Sequence, residues 1–252
     1  MSEKQRYFIE LAYDGTDYHG WQVQPNAVTV QEVLNDALYT VLREPIETTG
    51  CGRTDTGVHA REFFAHFDSL SLGIGHLSLV KVTDSLNAIL PKTIAVKRII
   101  PVDTESHARF DAVSRSYEYH VHVEKDPFKI NHSWQLRDKP DIALMNAAAK
   151  IIMEYTDFSC FSKSNTQTFT NNCRITRAEW VYSEHCLAFH ISADRFLRNM
   201  VRAIVGTLMQ VGRKEIKPED VRAIIESKNR SNAGTSVPAC GLYLSEVKYQ
   251  YL

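Results

Sequence analysis

The chain has 252 residues, of which 44% are hydrophobic and 23% charged, and its formal net charge is −1. This length buries a sizeable core as one large domain or two smaller ones, and the near-neutral balance excludes a global basic field, so any nucleic-acid site must be a local patch. Five widely spaced cysteines (Cys51, Cys160, Cys173, Cys186 and Cys240) include no C-x-x-C pair. They predict reduced thiols in a cytoplasmic protein, not a disulfide framework or a zinc site. No apolar run follows the polar start, and none approaches the roughly 20 residues of a membrane span, so neither a signal peptide nor a transmembrane helix is expected.

Read by period, the first half gives strand, helix, strand, strand, helix, strand. Tyr7, Ile9, Leu11 and Tyr13 alternate as in a half-buried strand. Val30, Val33, Leu34, Ala37, Leu38, Val41 and Leu42 follow at helical spacing, behind a Thr29/Glu32 capping box. Short strands are expected near 46–51 and 62–68. A helix through Leu79, Val82, Leu86 and Ile89 stops before Pro91, and Ile94, Val96, Ile99 and Ile100 predict a closing strand.

The second half repeats the order. Tyr117, Tyr119, Val121 and Val123 alternate with Glu118, His120 and His122. Ile142, Met145, Ala149, Ile152 and Met153 make a helical stripe. Segments 174–182 and 187–193 predict a hairpin turning at Ser183-Glu184-His185. Phe196, Met200, Ile204 and Leu208 predict a helix, Pro218-Glu219-Asp220 starts another, and Leu242, Leu244, Val247 and Tyr249 predict a last strand. Two successive βαββαβ sets predict an α+β fold of two ferredoxin-like halves, 1–105 and 106–252. Their antiparallel sheets can join side by side and leave a catalytic cleft between them.

Four segments carry candidate chemistry. In Cys51-Gly52-Arg53-Thr54-Asp55-Thr56-Gly57-Val58-His59-Ala60 one carboxylate stands between two glycines, too polar a segment for a core strand. The bland alternative is an Asx-type turn. The loop Asp14–Gln24 has glycines spaced as in a P-loop, but Trp21 and Gln22 replace the Lys and Ser/Thr, which excludes that motif. Its aromatic and amide side chains suit base stacking and base-edge contact, or else a turn with a packed Trp. Tyr117 can present ring face and hydroxyl together, whereas Tyr119 reads as core packing. His120 and His122 share the strand's polar face, with no carboxylate or cysteine at a spacing that favours a metal.

Segment 195–230 holds nine Lys/Arg against four acids. Arg195, Arg198 and Arg202 recur at helical spacing, so the sequence predicts one basic helix face, suited to phosphates or simply solvated. Arg202 differs, because Val201 and Ala203-Ile204-Val205 surround it. A partly buried arginine normally has a carboxylate partner, and Asp55 is the candidate.

One carboxylate limits the reactions available. Glycoside hydrolysis needs two, and metal hydrolases need ligand clusters. A single ionised Asp beside an Arg can serve as nucleophile or base where no external acid is needed, as in rearrangement of a nucleoside.

The ordered motifs Gly20-Trp21-Gln22-x-Gln24, Gly52-Arg53-Thr54-Asp55-x-Gly57-Val58-His59-Ala60, Leu86-Asn87-x-x-Leu90-Pro91, His107-Ala108-Arg109-Phe110-Asp111-Ala112, Arg115-x-Tyr117-x-Tyr119, Asp157-Phe158-Ser159, Phe196-Leu197-Arg198-Asn199-Met200-Val201-Arg202-x-Ile204-Val205-Gly206 and Gly241-Leu242-x-Leu244 resemble the tRNA pseudouridine synthase A family. The resemblance runs from about residue 6 to the C-terminus.

It implies isomerisation of uridine to pseudouridine at positions 38, 39 and 40 of the tRNA anticodon arm. Asp55 would be the catalytic aspartate acting after base flipping, Tyr117 would pack on the target base, and Arg202 would pair with Asp55. Arg53 would fill the space left by the flipped nucleotide, and Leu242 would line the base pocket. The family implies a homodimer, no cofactor and tRNA as partner.

Cys51 departs from the commoner alanine, and polar, glycine-free 162–173 reads as a mobile loop. A non-catalytic RNA-binding protein on the same scaffold and a metal-dependent nuclease are the competing readings.

Overall fold

The computed structural model describes residues 4–74, 78–163, 169–183 and 186–252. Two expectations fall partly outside these residues: the Ser183-Glu184-His185 turn at 184–185, and the polar loop 162–173 at 164–168.

The fold is mixed α+β. Its elements in chain order are β1 (Gln5–Tyr13), α1 (Val30–Leu42), β2 (Thr49–Gly50), β3 (His59–Ser69), α2 (Ser71–Ile74), α3 (Leu79–Ile89), β4 (Ile94–Val102), β5 (Ala112–His122), β6 (Trp134–Gln135), α4 (Ile142–Ile152), β7 (Ile175–Ser183), β8 (Cys186–Ala193), α5 (Met200–Gly212), α6 (Asp220–Glu226) and β9 (Leu242–Tyr249). They divide into two compact units, Met1–Val113 with Leu244–Leu252, and Ser114–Tyr243.

In the first unit β1 pairs antiparallel with β4 on one side and β3 on the other, and β2 pairs with β3. The alternation of β1 predicts a half-buried strand, yet Tyr7 through Leu11 are all buried. The reason is its central position. Its second face is covered by aromatics, with Phe8 5.2 Å edge-on from Tyr249 and 6.4 Å from Phe64. Burying Phe8 completely is worth about 2–3 kcal/mol. Glu10, on the same strand, is buried too, and Arg98 Nε at 2.6 Å and Lys97 Nζ at 3.3 Å offset its charge.

Helix α1 starts where the capping signal predicts, with Thr29 Oγ1 accepting from the Glu32 N–H at 3.4 Å. Val30, Leu34, Ala37, Leu38 and Leu42 form its buried stripe. Gln31 is buried beside them, and its amide N–H donates to Thr48 O while its Oε1 accepts from the Val23 N–H. Strand β3 begins at His59, three residues before the sequence expectation, so the end of the Asp55 motif already belongs to the sheet.

In the second unit β5 pairs antiparallel with β8, β8 with β7, and β6 runs parallel to β5. Asp141 caps α4 through the Leu144 N–H at 3.2 Å. Helix α5 is buried almost all round, from Ala203 to Met209 without interruption, as a helix at the centre of a core must be. It begins at Met200, not at Phe196, because Asn199 takes a left-handed φ of 66° that cannot continue a helix. Arg195 and Arg198 therefore lie ahead of the helix, and Arg202 alone of the three is on it. The predicted basic helix face does not form.

Candidate active site

The Asp55 loop joins β2 to β3 and is fixed largely by main chain. Asp55 C=O accepts from the Val58 N–H at 3.1 Å, closing a turn whose third residue, Gly57, takes φ +77°. A positive φ at that position favours glycine. The neighbouring loop Asp14–Gln24 locks onto this turn: Trp21 N–H donates to Thr54 O at 3.3 Å, and Gly57 N–H donates to Tyr18 O at 3.3 Å. Gly20 sits at φ +86°, and a Cβ there would strike the Thr54 carbonyl. The Tyr13 and Thr54 hydroxyls bond at 2.9 Å. Asp55 is thus presented, half-buried, on a braced backbone, with Arg53 exposed two residues away.

Trp21 is not a stacking platform. It is 1% exposed, and its ring stacks on Phe63 with centroids 4.1 Å apart. Gln22 and Gln24 are exposed, with their amides bonded within the protein: Gln22 Nε2 donates to Gln31 Oε1 and Gln24 Nε2 to His19 O, both at 2.8 Å. The packed-Trp alternative describes this loop, and its task is to support the Asp55 turn.

Sequence reasoning missed Asp14 and His59 as a second brace. Asp14 Oδ1 accepts from Thr16 N–H at 3.0 Å and Thr16 Oγ1 at 2.6 Å. Buried His59 has Nδ1 3.1 Å from Gly15 N and 3.0 Å from Asp14 Oδ1. Both residues lie within the quoted motifs, but only their pairing across 45 positions reveals the role.

The remaining candidates lie in the second unit. Tyr117, half-buried on β5, meets Phe196 edge-on at 5.1 Å. Tyr119 is fully buried, and its hydroxyl donates to Pro238 O at 2.8 Å. Burial raises the pKa of that hydroxyl far above the usual tyrosine value.

Arg202 Nε donates to Val237 O at 2.7 Å, and Val237 N–H returns a bond to Arg202 O at 3.3 Å. Leu242 is buried at the start of β9. The segment before it, 230–241, is strapped onto α5. Arg230 donates to Gly234 O at 3.0 Å and Ser236 Oγ at 2.9 Å, and Asn199 Nδ2 donates to the same Oγ at 2.5 Å. Gly234 N–H donates to Thr207 Oγ1 at 2.9 Å, and the strap passes so close at Gly206 that a Cβ would meet the Thr235 carbonyl.

The two strand histidines separate. His122 is buried with Nδ1 3.0 Å from Ser133 Oγ, and burial lowers its pKa. His120 Nε2 lies 3.0 Å from Glu118 Oε2, and His190 Nδ1 is 3.8 Å from the other carboxylate oxygen. Glu118 is thus the carboxylate near the histidines, two residues from one and across a strand from the other.

Comparison with known proteins agrees over almost the whole chain. The sequence model described as tRNA pseudouridine synthase matches residues 11–111 and 154–250, which include Arg53, Asp55, Arg202 and Leu242 but not Tyr117. A Parabacteroides distasonis protein named tRNA pseudouridine synthase A is 49% identical over 245 residues, 97% of this chain and 96% of its own. A Bacteroides thetaiotaomicron protein of the same name is 50% identical over 97% of this chain and 91% of its own. A Clostridium acetobutylicum protein, again so named, is 37% identical over 96% of this chain and 98% of its own. On family match and near-complete coverage together, this chain belongs to the tRNA pseudouridine synthase family.

Proposed function

We propose that the protein isomerises uridine to pseudouridine in tRNA, at positions 38, 39 and 40 of the anticodon stem-loop, with Asp55 as nucleophile or base. The observation that carries this reading is the braced Asp55 turn. A carboxylate held on interlocked main chain spends little conformational entropy on reaching a reactive geometry. The reaction balances with one such group and no cofactor. The N1–C1′ bond breaks, the base turns, C5 bonds to C1′, C5 loses a proton and N1 gains one.

The target lies in or beside a stem, so it must leave the stack at a cost of a few kcal/mol. Tyr117 is the proposed platform for the flipped base, Leu242 its apolar wall, and Arg53 the group that fills the vacated space. Arg202 is the proposed ion partner of Asp55. Each unit is read as a ferredoxin-like βαββαβ set, a reading supported in the first unit by the antiparallel order β4-β1-β3-β2. A cytoplasmic homodimer completes the proposal.

The test is mass-spectrometric mapping of pseudouridine in unmodified tRNA incubated with pure protein and EDTA. Conversion at 38–40 is expected with intact RNA, and Asp55→Asn should lower the rate about a thousandfold or more, roughly 4 kcal/mol. Unchanged yield with Asp55→Asn would sink the catalytic assignment. Binding without conversion by the unaltered protein would favour the RNA-binding reading, and cleaved RNA the nuclease.

A further inference from the structure

The turn His107–Asp111 in the first unit holds an aromatic ring out in water. Phe110 is 72% exposed. A single exposed apolar residue is ordinary on a mobile loop, but here all five main-chain N–H groups of the turn have partners. His107 N–H donates to Asp111 Oδ2 at 2.7 Å and Ala108 N–H to His66 Nδ1 at 3.1 Å. Arg109 and Phe110 N–H both donate to His107 Nδ1, at 3.1 and 3.4 Å, and Asp111 N–H donates to His107 O at 3.0 Å. From β9 and the residues after it, Tyr249 OH donates to Ala108 O at 2.6 Å and Tyr251 OH to Asp111 Oδ2 at 2.8 Å. The Arg109 guanidinium carbon lies 5.7 Å from the Phe110 ring centroid, and the His107 ring lies 4.2 Å from it on a tilt of 36°.

A rigid turn that pairs an aromatic ring with a guanidinium has the chemistry that single-stranded nucleotides recognise, a stacking surface beside a phosphate ligand. We propose that Arg109 and Phe110 form an RNA contact in which an unpaired nucleobase of the tRNA stacks on Phe110 while Arg109 meets a phosphate. This rests on the tRNA reading above. The nucleotide bound here is not the target uridine. The turn docks on His66, seven residues along β3 from His59 where the Asp55 motif enters that strand, a span of about 23 Å at the usual rise per residue. The contact therefore contributes to binding and not to the chemical step.

The experiment compares unaltered protein with Phe110→Ala, Phe110→Trp and Arg109→Ala in tRNA binding at several salt concentrations and in steady-state pseudouridine formation. Phe110→Ala should weaken binding and raise KM about tenfold, within the range for loss of one stacked base, with kcat unchanged. Phe110→Trp should restore both. Arg109→Ala should reduce the salt dependence by about one phosphate contact, a change that Phe110→Ala should not produce. Phe110→Ala binding within twofold of the unaltered protein would overturn the proposal, as would a fall in kcat at unchanged KM. A shift in sedimentation with unaltered RNA binding would also overturn it, assigning the ring to a protein partner. Thermal unfolding of each variant separates these results from a folding defect, and Phe110→Leu, which keeps an apolar side chain but loses the ring face and should weaken binding as the alanine variant does, carries the test if that variant is unstable. If the unaltered protein binds tRNA but forms no pseudouridine, the functional reading fails while the binding comparison still decides this contact.

Discussion

The Asp55 turn and the 230–241 strap are both irregular segments held still, but by different means. The turn is fixed by main chain against main chain: Thr54 O, Asp55 O and Gly57 N–H all bond to backbone groups, and Gly20 makes room for the approach. The strap is held mainly by side chains: Asn199, Arg202, Thr207 and Tyr119 reach it from outside, Arg230 folds back along it from within, and one main-chain bond, Val237 N–H to Arg202 O, is added. A main-chain interlock depends on glycine at a few positions and leaves the loop side chains available for chemistry. A side-chain clamp depends on particular polar partners and can be loosened one bond at a time, although this one also needs glycine at 206 for its close pass.

Three experiments probe that contrast. Gly20→Ala should have the largest effect on stability, about 2–4 kcal/mol, because it adds a left-handed penalty to a clash with the Thr54 carbonyl. Denaturant unfolding measures the loss. Activity should fall beyond what the unfolded fraction explains, since the Asp55 turn moves with its brace.

Arg230→Ala should cost about 2 kcal/mol, because it removes charge-assisted donors to Gly234 O and Ser236 Oγ in one step. Hydrogen exchange should show the change confined to the strap. Spread of the exchange through α5 would mean that strap and helix unfold as one.

A third mode of fixing, in which neutral imidazoles accept main-chain N–H bonds, is tested by pH. Burial, with His107 and Arg6 nearby, pushes the His66 pKa down to about 4 from its usual 6.5. Between those values the unfolded chain binds a proton that the folded one refuses, so stability should fall as pH drops through this window and its His66 component should level off below about 4. His66→Asn should flatten the slope in thermal unfolding measured from pH 7 to pH 4. Asp157 acts in a separate window. Lys228 and Ser159 hold its carboxyl down to about 2, so its contribution is lost only as pH falls below its usual 3.8.

The sequence disclosed what depends on local pattern. The stripe and cap of α1, the stop of α3 before Pro91 and the alternation of β5 through Tyr119 and Val121 all follow from period and turn chemistry, and the Asp55 motif is a contiguous run. What it hid depends on distant partners. Arg195, Arg198 and Arg202 have helical spacing, but the left-handed Asn199 breaks the helix between them. Trp21 has the side chain of a stacking residue, yet Phe63 on β3 takes its ring. His122 follows the polar alternation of its strand, but Ser133 gives it a buried partner. For Trp21 and His122 a partner elsewhere in the sequence overrode a correct local reading, and for the arginines a single left-handed residue did.

The interlock of Gly20 with Thr54 also restricts how the chain can vary in length. Two loops more than thirty positions apart share one set of main-chain bonds, so an added or deleted residue in either shifts the register of both. Among the described residues no such main-chain bond joins another loop to the segment on the far side of α1, where Arg43 and Pro45 lie exposed between helix and strand. Natural insertions should collect in segments of that kind, and the spacings from Gly20 to Gln24 and from Gly52 to Ala60 should stay constant while the side chains between them change.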